Sequence, residues 1–208
     1  MTRSIGIVDY GSGNLFSVMR GLAAADCRAR LLSEPENWAQ YDGLLLPGVG
    51  AFGAGMDLMR AKALDSATIA FAKTGKPILG VCLGMQFLMT RSYEFGCHNG
   101  LNLIEGDVVP ISPAPGWPVP NIGWNMVHLS RSARGTPFSS IANHSTFYFV
   151  HSYQCKATNP ADMVGTISYA DTLVAAIISR ENVHGCQFHP EISGPVGISI
   201  YRAFQNPE

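Results

Sequence analysis

The spacing of apolar residues in the first half of the chain predicts strands that alternate with helices. Short, mainly apolar runs with the length of buried strands occur at residues 5–9, 43–46 and 77–81, and residues 28–32 are interpreted as a further strand. After the first run, Leu15, Val18 and Leu22 recur at helical spacing and indicate the buried stripe of an amphipathic helix. A second helix is expected from about 56 to 73. This order predicts a parallel sheet with helices on both faces.

The second half of the chain is predicted to consist mainly of strands. The candidate segments are 104–109, 123–129, 146–150, 163–168, 173–179 and 183–188. The proline-rich stretch 110–120 is expected to be a loop because strands resume directly after it, and a helix is expected over 196–204. Together the patterns predict a single α/β domain over 1–208. Its sheet would be open, mixed and mainly parallel, flanked by helices, with an antiparallel β extension.

The composition then limits the classes of binding partner and the cellular compartment that we expect for this chain. The chain has 208 residues with 14 basic and 15 acidic side chains, which is room for one sizeable core. The lack of a Lys/Arg block argues against nucleic acid or a membrane surface as partner, and no apolar run approaches the ~20 residues of a spanning helix. Five cysteines without a Cys-x-x-Cys pair favour reduced thiols in a cytoplasmic protein.

The segment from Gly80 to Gly84, with Cys82 at its centre, is the strongest chemical signal. It follows an apolar strand and precedes a helical run, so it is the thiol counterpart of the Gly-x-Ser-x-Gly nucleophile elbow. Flanking glycines would permit a sharp turn with the thiol at its tip, and the helix N-terminus behind it would favour the thiolate and offer N–H groups to an oxyanion. The alternative is a buried structural cysteine between two turn glycines.

A second segment supplies a base for this thiol. His189 is followed by Pro190 and Glu191 at the end of a predicted strand, where residues two apart share a face. Glu191 is therefore expected to orient the imidazole, giving a triad of Cys82, His189 and Glu191. His184, Cys186 and His189 could also form a metal trio. No other ligand cluster supports it, so we expect neither a metal nor a cofactor.

These segments resemble the class I, triad-type glutamine amidotransferases over nearly the whole chain. The matching segments are 8–14, 47–53, 80–86, 123–125, 149–153 and 187–191. The elbow and the His-Pro-Glu segment are shared by the broad family, whereas 8–14, 47–53 and 123–125 resemble the glutaminase subunits of imidazole glycerol phosphate synthase. The resemblance implies a flavodoxin-like sheet.

The resemblance also implies the role of each matching residue. Cys82 would attack the carboxamide carbon of glutamine, and His189, oriented by Glu191, would protonate ammonia and then activate water. The oxyanion would be held by N–H groups from Leu83 and from the loop that contains Val49 and Gly50. The positions that match substrate-binding positions of the family are Gly50, Gln86, Glu94, Ser152 and Tyr153.

A partner is implied as well. In this family ammonia passes to a separate (β/α)₈ cyclase subunit in a heterodimer, which makes imidazole glycerol phosphate and an aminoimidazole carboxamide ribotide in histidine biosynthesis. Asn14, Trp124 and the start of the chain correspond to the partner-facing side. Phe16, Asn121 and Ile192 depart from the common pattern near that side. A second hypothesis is therefore a related glutaminase that feeds a sugar amidotransferase of surface-polysaccharide synthesis.

Two hypotheses of other classes remain. A cysteine hydrolase or peptidase could use the same elbow without a glutamine pocket, and an inactive scaffold subunit could keep the fold alone. Gln86 and the loop 47–53 favour the glutaminase over the hydrolase. Because all three triad positions are filled, an inactive subunit is disfavoured.

Overall fold

The computed structural model describes residues 3–205, and both halves of the chain contribute to its main sheet. In chain order the strands are β1 (Ser4–Val8), β2 (Arg28–Leu32), β3 (Gly43–Leu46), β4 (Ile78–Val81), β5 (Met89–Ser92), β6 (His98–Asn99), β7 (Ile104–Pro110), β8 (Asn121–Met126), β9 (His128–Leu129), β10 (Thr146–His151), β11 (Tyr153–Ala157), β12 (Met163–Tyr169), β13 (Thr172–Arg180) and β14 (Val183–Cys186). The helices are α1 (Leu15–Ala24), α2 (Phe52–Ala61), α3 (Leu64–Ala72), α4 (Leu83–Phe87) and α5 (Gly194–Gln205).

The main sheet has eight strands in the order β2-β1-β3-β4-β14-β13-β12-β9. The first five are parallel to one another, and the last three continue the sheet in antiparallel pairs. The predicted fold class, a mixed and mainly parallel sheet with an antiparallel extension, is confirmed. Strand β14 is important for the site because it returns from the second half to lie beside β4.

The remaining strands form two smaller sheets that the sequence pattern does not separate from the main one. Strands β8 and β10 pair as an antiparallel two-stranded ribbon, and the other sheet has the order β11-β7-β5-β6. Strands β5, β6 and β11 are not among the predicted segments. The predicted strand 183–188 ends at Cys186, and the predicted strand 123–129 is interrupted between β8 and β9.

The helix expected over 56–73 is two helices. Helix α2 ends before Lys62, and Ala63 adopts a left-handed backbone conformation with φ +55°. The buried side chains carry the signal of this break, because Met59 and Leu64 are five positions apart and the helical repeat of three or four is lost there. The predicted helices at 15–22 and 196–204 are confirmed as α1 and α5.

Alternate residues of the central strands feed two separate apolar cores. Ile5, Leu45 and Leu79 belong to the core shared with α1, α5 and β10. Leu44 and Ile78 belong to the core shared with α2, α3 and α4. The sheet is thus covered on both faces, as expected for parallel strands.

The remaining expectations concern the terminal residues, the number of domains, the cysteines and membrane-spanning helices. Met1 and Thr2, which belong to the start of the chain assigned to a partner, lie outside the described residues, as do 206–208. The assignment of all 208 residues to one domain stays a prediction. Across residues 3–205 the five cysteines are unpaired, and no helix there is both long and apolar enough to cross a membrane.

Candidate active site

The Cys82 thiol sits on a strained turn at the carboxyl end of β4. Its backbone has φ +56° and ψ −112°, and α4 begins at the next residue. The flanking glycines permit this turn, as expected, but through close packing: a Cβ at Gly80 would lie 2.6 Å from the Gly84 carbonyl oxygen. Gly84 has no positive φ, but a Cβ there would lie 1.8 Å from the Leu46 carbonyl oxygen. The strain therefore lies on Cys82 itself, while Gly84 allows the close packing of α4 against the end of β3.

The sheet topology brings the predicted nucleophile and the predicted base together. Strands β4 and β14 are parallel neighbours, and the Cys82 N–H donates to the Cys186 carbonyl at 2.8 Å. His189 follows β14 by three residues, so both side chains emerge at the same carboxyl edge of the sheet. Residues more than a hundred positions apart thereby share one site.

His189 and Glu191 form the expected pair, with Nδ1 and Oε1 2.8 Å apart. The local geometry differs from the prediction. Residues Pro190–Ile192 form a 3₁₀ turn, so the carboxylate reaches the imidazole through a turn and not along an extended strand. The Tyr201 hydroxyl donates to the other carboxylate oxygen at 3.3 Å. The two paired side chains are only 9% and 2% exposed, which keeps water away from the ion pair.

Two neighbours counteract the effect of burial on His189. Burial alone would lower the pKa of the imidazole, but the hydrogen bond to Glu191 and the interaction with the neighbouring Cys82 and Glu191 charges raise that pKa to about 10. Its Nε2 is buried and has no hydrogen-bond partner within residues 3–205. A protonated imidazole with one uncommitted N–H is suited to donate a proton to a leaving group.

Cys82 and His189 line one cavity of about 340 Å³. Its volume lies in the range of small-molecule sites, roughly 300–1,000 Å³. The other predicted site residues on its wall are Val49, Gly50, Leu83, Gln86, Glu94, Ser152 and Tyr153. Glu191 lies behind His189. The structure therefore brings the predicted residues together, while their individual roles stay predictions.

The loop between β3 and α2 holds the predicted oxyanion donors in a closed arrangement. The Leu83 N–H, expected to face an oxyanion, donates instead to the Gly48 carbonyl at 3.3 Å. Gly50 has φ +97°, and a Cβ added there would meet nothing within 4 Å, so the loop has room and backbone freedom at this position. An anion at Leu83 would have to replace the Gly48 carbonyl.

Two predicted substrate-binding side chains already have protein partners. Gln86 Nε2 donates to the Tyr153 carbonyl at 3.4 Å and to Gln187 Oε1 at 3.1 Å, so its own Oε1 is the polar atom left for a ligand. Glu94 Oε2 accepts a hydrogen bond from the Phe52 N–H at 2.5 Å, at the beginning of α2.

Two further residues of the site were not predicted as such. Gln187 is fully buried, and His151 lines the cavity. His151 Nδ1 lies 2.8 Å from the Tyr153 carbonyl and its Nε2 lies 3.0 Å from Asn121 Nδ2. Burial lowers the pKa of His151 to about 4, although the Tyr153 carbonyl opposes this, so the ring is neutral. Both residues fall within matching segments of the sequence, and the available signal was a polar residue at the end of a strand or directly after one.

The partner-facing predictions fall on exposed positions. Asn14 caps the N-terminus of α1, and its Oδ1 accepts the Ser17 N–H at 3.3 Å. Trp124 is 58% exposed on β8, and Phe16 and Ile192 are also exposed. Asn121 is buried, which places this departure from the common pattern inside the site wall. The contact between the Asn121 amide and His151 explains why the Asn121 side chain is buried.

The metal trio is not assembled. His184 Nδ1 lies 2.8 Å from Ser179 Oγ, and burial lowers the pKa of that imidazole to about 4. In the part of the chain that the structure describes, no three His, Cys, Asp or Glu side chains are grouped as metal ligands.

Comparisons with known proteins agree on one family. Residues 6–205 match the sequence model of the class-I glutamine amidotransferases. The imidazole glycerol phosphate synthase subunit HisH 1 of Legionella pneumophila (strain Paris) is 43% identical over 211 residues, covering 97% of this chain and 98% of that protein. The subunit HisH of Wolinella succinogenes is 40% identical over 203 residues, covering 96% and 98%.

A solved structure shows the same fold at lower identity. The structure of PurLQS from Thermotoga maritima aligns with a TM-score of 0.76 and 18% identity, covering 99% of each chain. The solved structure supports the fold alone, whereas the family match and the two relatives also show the family. The chain therefore belongs to the class-I glutamine amidotransferases, among the HisH subunits of imidazole glycerol phosphate synthase.

Proposed function

We propose that this chain hydrolyses glutamine through Cys82, His189 and Glu191 and delivers the ammonia to a (β/α)₈ cyclase subunit in a cytoplasmic heterodimer. The observation that carries the chemistry is the strained Cys82 elbow beside a buried His189–Glu191 pair, on the wall of a small-molecule cavity. Neither nucleic acid nor a membrane surface is part of the proposal.

The covalent step follows from the polarity of the pair. The Cys82 thiolate forms a bond to the carboxamide carbon of glutamine, and the carbonyl electrons move to oxygen. The carbon–nitrogen bond then breaks as His189 Nε2 gives its proton to the departing amine, leaving a thioester. The neutral imidazole next removes a proton from water, which attacks the thioester and releases glutamate. Glu191 stabilises the cationic form of the ring throughout.

The cavity wall supports recognition of free glutamine. The Glu94 carboxylate would attract the substrate ammonium group. The Gln86 carbonyl oxygen, which has no hydrogen-bond partner among residues 3–205, would accept a hydrogen bond from a substrate N–H. Ser152 and Tyr153 complete the wall on which the substrate carboxylate would lie. A peptidase would need an open cleft in place of this pocket.

The loop between β3 and α2, which we call the oxyanion loop, supports the proposal that the activity depends on a partner. Because the Gly48 carbonyl already accepts the Leu83 N–H, the tetrahedral intermediate would lack this donor until the loop rearranges. Loss of one oxyanion donor costs about 10²–10³ in rate in a well-studied protease. We therefore expect slow glutamine hydrolysis by the isolated chain and a large increase when the partner and its ligand bind.

An exposed apolar surface supports the partner itself. The outward side chains of β8 and β10 form what we call the ribbon face, made of Ile122, Trp124, Met126 and Val150. Each is at least 40% exposed, and the 3₁₀ turn with Ile192 contacts both α1 and β10 beside this face. An apolar surface centred on tryptophan is typical of an interface core.

Labelling by a diazoketone analogue of glutamine tests the glutaminase proposal. We expect one adduct on Cys82, prevented by excess glutamine, while the exposed Cys97 thiol reports unspecific alkylation. Labelling of Cys97 without saturable labelling of Cys82, under conditions that label a known amidotransferase, would contradict the proposal.

A further inference from the structure

A fully buried side-chain amide contacts the sulfur of Cys82. Gln187 is 0% exposed, and its Nε2 lies 3.7 Å from Cys82 Sγ, within the range of an N–H···S hydrogen bond. Its Oε1 accepts from Gln86 Nε2 at 3.1 Å. The site described above gives Gln187 no role.

The orientation of this amide is fixed by a group that cannot be reversed. The Tyr153 backbone carbonyl can only accept a hydrogen bond, so the Gln86 atom 3.4 Å from it must be the nitrogen. The same nitrogen then donates to Gln187, whose facing atom must be the oxygen. If the Gln187 amide were rotated by 180°, its N–H group would face the N–H group of Gln86. The Gln187 nitrogen is therefore directed at the sulfur.

We propose that Gln187 is a catalytic residue of this site, whose side-chain N–H donates to the Cys82 thiolate and is held in that direction by Gln86 and the Tyr153 carbonyl. The inference rests on the proposed function, since it assigns a role in the same nucleophilic step. No covalent bond changes at Gln187. It lowers the free energy of the charged sulfur before the sulfur attacks glutamine.

The geometry around Cys82 leaves the Gln187 amide as an important hydrogen-bond donor to the sulfur. Helix α4 has only five residues, so the helix dipole expected to favour the thiolate is small. The Cys82 N–H is committed to the Cys186 carbonyl and the Leu83 N–H to the Gly48 carbonyl. Both nearby backbone donors are thus engaged elsewhere. The amide of Gln187 is a donor that already faces the sulfur in this closed arrangement.

The alternative is that Gln187 only fills space and links two strands. Substitution separates the two roles, because Gln187→Met keeps the volume and loses the donor. Gln187→Glu keeps an oxygen for Gln86 and places a second oxygen toward the sulfur. Gln205→Met is the matched control: Gln205 is also buried, with Nε2 donating to the Arg3 carbonyl at 3.1 Å at the other end of the main sheet.

The experiment measures the rate at which iodoacetamide alkylates Cys82 in the full chain, resolved by peptide mass spectrometry over a range of pH. For Gln187→Met we expect about a tenfold slower reaction at neutral pH and a half-maximal pH about one unit higher, the effect of losing a hydrogen bond to a charged group. The Gln187→Glu shift should be larger, and Gln205→Met should match the wild type. Slow alkylation of the buried Cys155 shows that each variant is folded.

A wild-type half-maximal pH in Gln187→Met would overturn the inference, as would restoration of wild-type reactivity by Gln187→Glu. Iodoacetamide does not need a glutamine pocket, so this result is independent of substrate recognition. Hydrolysis of glutamine by the wild-type chain with its partner is measured in parallel. Its absence would count against the proposed function and leave the alkylation result to judge the role of Gln187.

Discussion

His189 holds a proton because each side of its ring faces an acidic neighbour. Glu191 lies on Nδ1, and interaction with Cys82 adds to it, so that the pKa of the imidazole rises to about 10 in spite of burial. The ring is thus cationic at neutral pH. It can neutralise the thiolate before attack and donate its proton to ammonia afterwards.

The first prediction concerns Glu191→Gln. The amide keeps a hydrogen-bond acceptor but removes the negative charge, so the pKa of His189 should fall. Since loss of the His189 proton sets the basic limb of the pH–rate profile, that limb should move to lower pH, with a loss of roughly 10²–10⁴-fold in rate. The measurement is kcat/KM for glutamine against pH in the complex. Glu105→Gln, an exposed change of the same kind, is the control.

An unchanged basic limb in Glu191→Gln would show that the carboxylate does not hold the proton on His189. A shift of the limb to higher pH would contradict the sign of the interaction. The control variant guards against a general effect of net charge, since both changes remove one carboxylate.

The beginning of helix α2 is tied to the pocket through Glu94. The residue before this helix, Ala51, has no side-chain acceptor for the free N–H groups of the first turn. Glu94 supplies one by accepting the Phe52 N–H, and α2 directly follows the loop that contains Val49 and Gly50. One carboxylate therefore faces the pocket and also fixes one end of the oxyanion loop.

The second prediction separates these two contacts of Glu94. Glu94→Gln keeps an oxygen for the Phe52 N–H and loses the charge that attracts an ammonium group, so KM for glutamine should rise while kcat is largely kept. Glu94→Ala also loses the cap, which costs about 1 kcal/mol, so kcat should fall as well. Steady-state hydrolysis is measured with glutamine and with glutaramate, which lacks the amino group. With glutaramate, Glu94→Gln should equal the wild type.

Equal behaviour of the two variants on both substrates would show that the contact with Phe52 does not position the loop. Wild-type kinetics of Glu94→Gln on glutamine would instead remove Glu94 from recognition of the ammonium group. The two contacts are thus tested by different comparisons.

The sequence predicts elements best where burial imposes a period. Helices α1 and α5 are predicted at nearly their observed bounds because each carries a regular apolar stripe, and β1, β3, β4 and β14 are located because they are short buried runs. Strands β6 and β11 are missed because one is two residues long and the other mixes apolar and polar residues. The 3₁₀ turn at Pro190 is missed because proline after His189 disfavours helix at His189 but does not determine the conformation of the next residues.

In the molecule as a whole, each half of the chain contributes a different part of the candidate site. The first half supplies Cys82 and the oxyanion loop, and the second supplies His189, Glu191 and the ribbon face. Motif spacing predicts the triad, since the strand-to-helix turn fixes the position of the thiol. It cannot show that the Gly48 carbonyl occupies the Leu83 N–H or that Gln187 contacts the sulfur, because both depend on how distant strands pack.

The third prediction concerns the ribbon face. Trp124→Ala should weaken binding to the cyclase subunit by at least about tenfold, the effect of removing an aromatic hot spot. Leu58→Ala is the matched control, because Leu58 is 41% exposed on α2, which covers the opposite face of the sheet. Association is measured by calorimetric titration of one subunit with the other. Equal affinities of the two variants would move the partner surface away from the ribbon face.

Release of ammonia by Cys82 and its use by a second subunit can be tested together in one assay. The assay is synthesis of imidazole glycerol phosphate by the complex of the cyclase subunit with the Cys82→Ala chain. We predict that glutamine no longer supports synthesis, whereas free ammonium supports it at the wild-type rate. Glutamine-dependent synthesis that survives the substitution would show that the nucleophile lies elsewhere. Loss of synthesis from both nitrogen sources would contradict the separation of ammonia release from ammonia use.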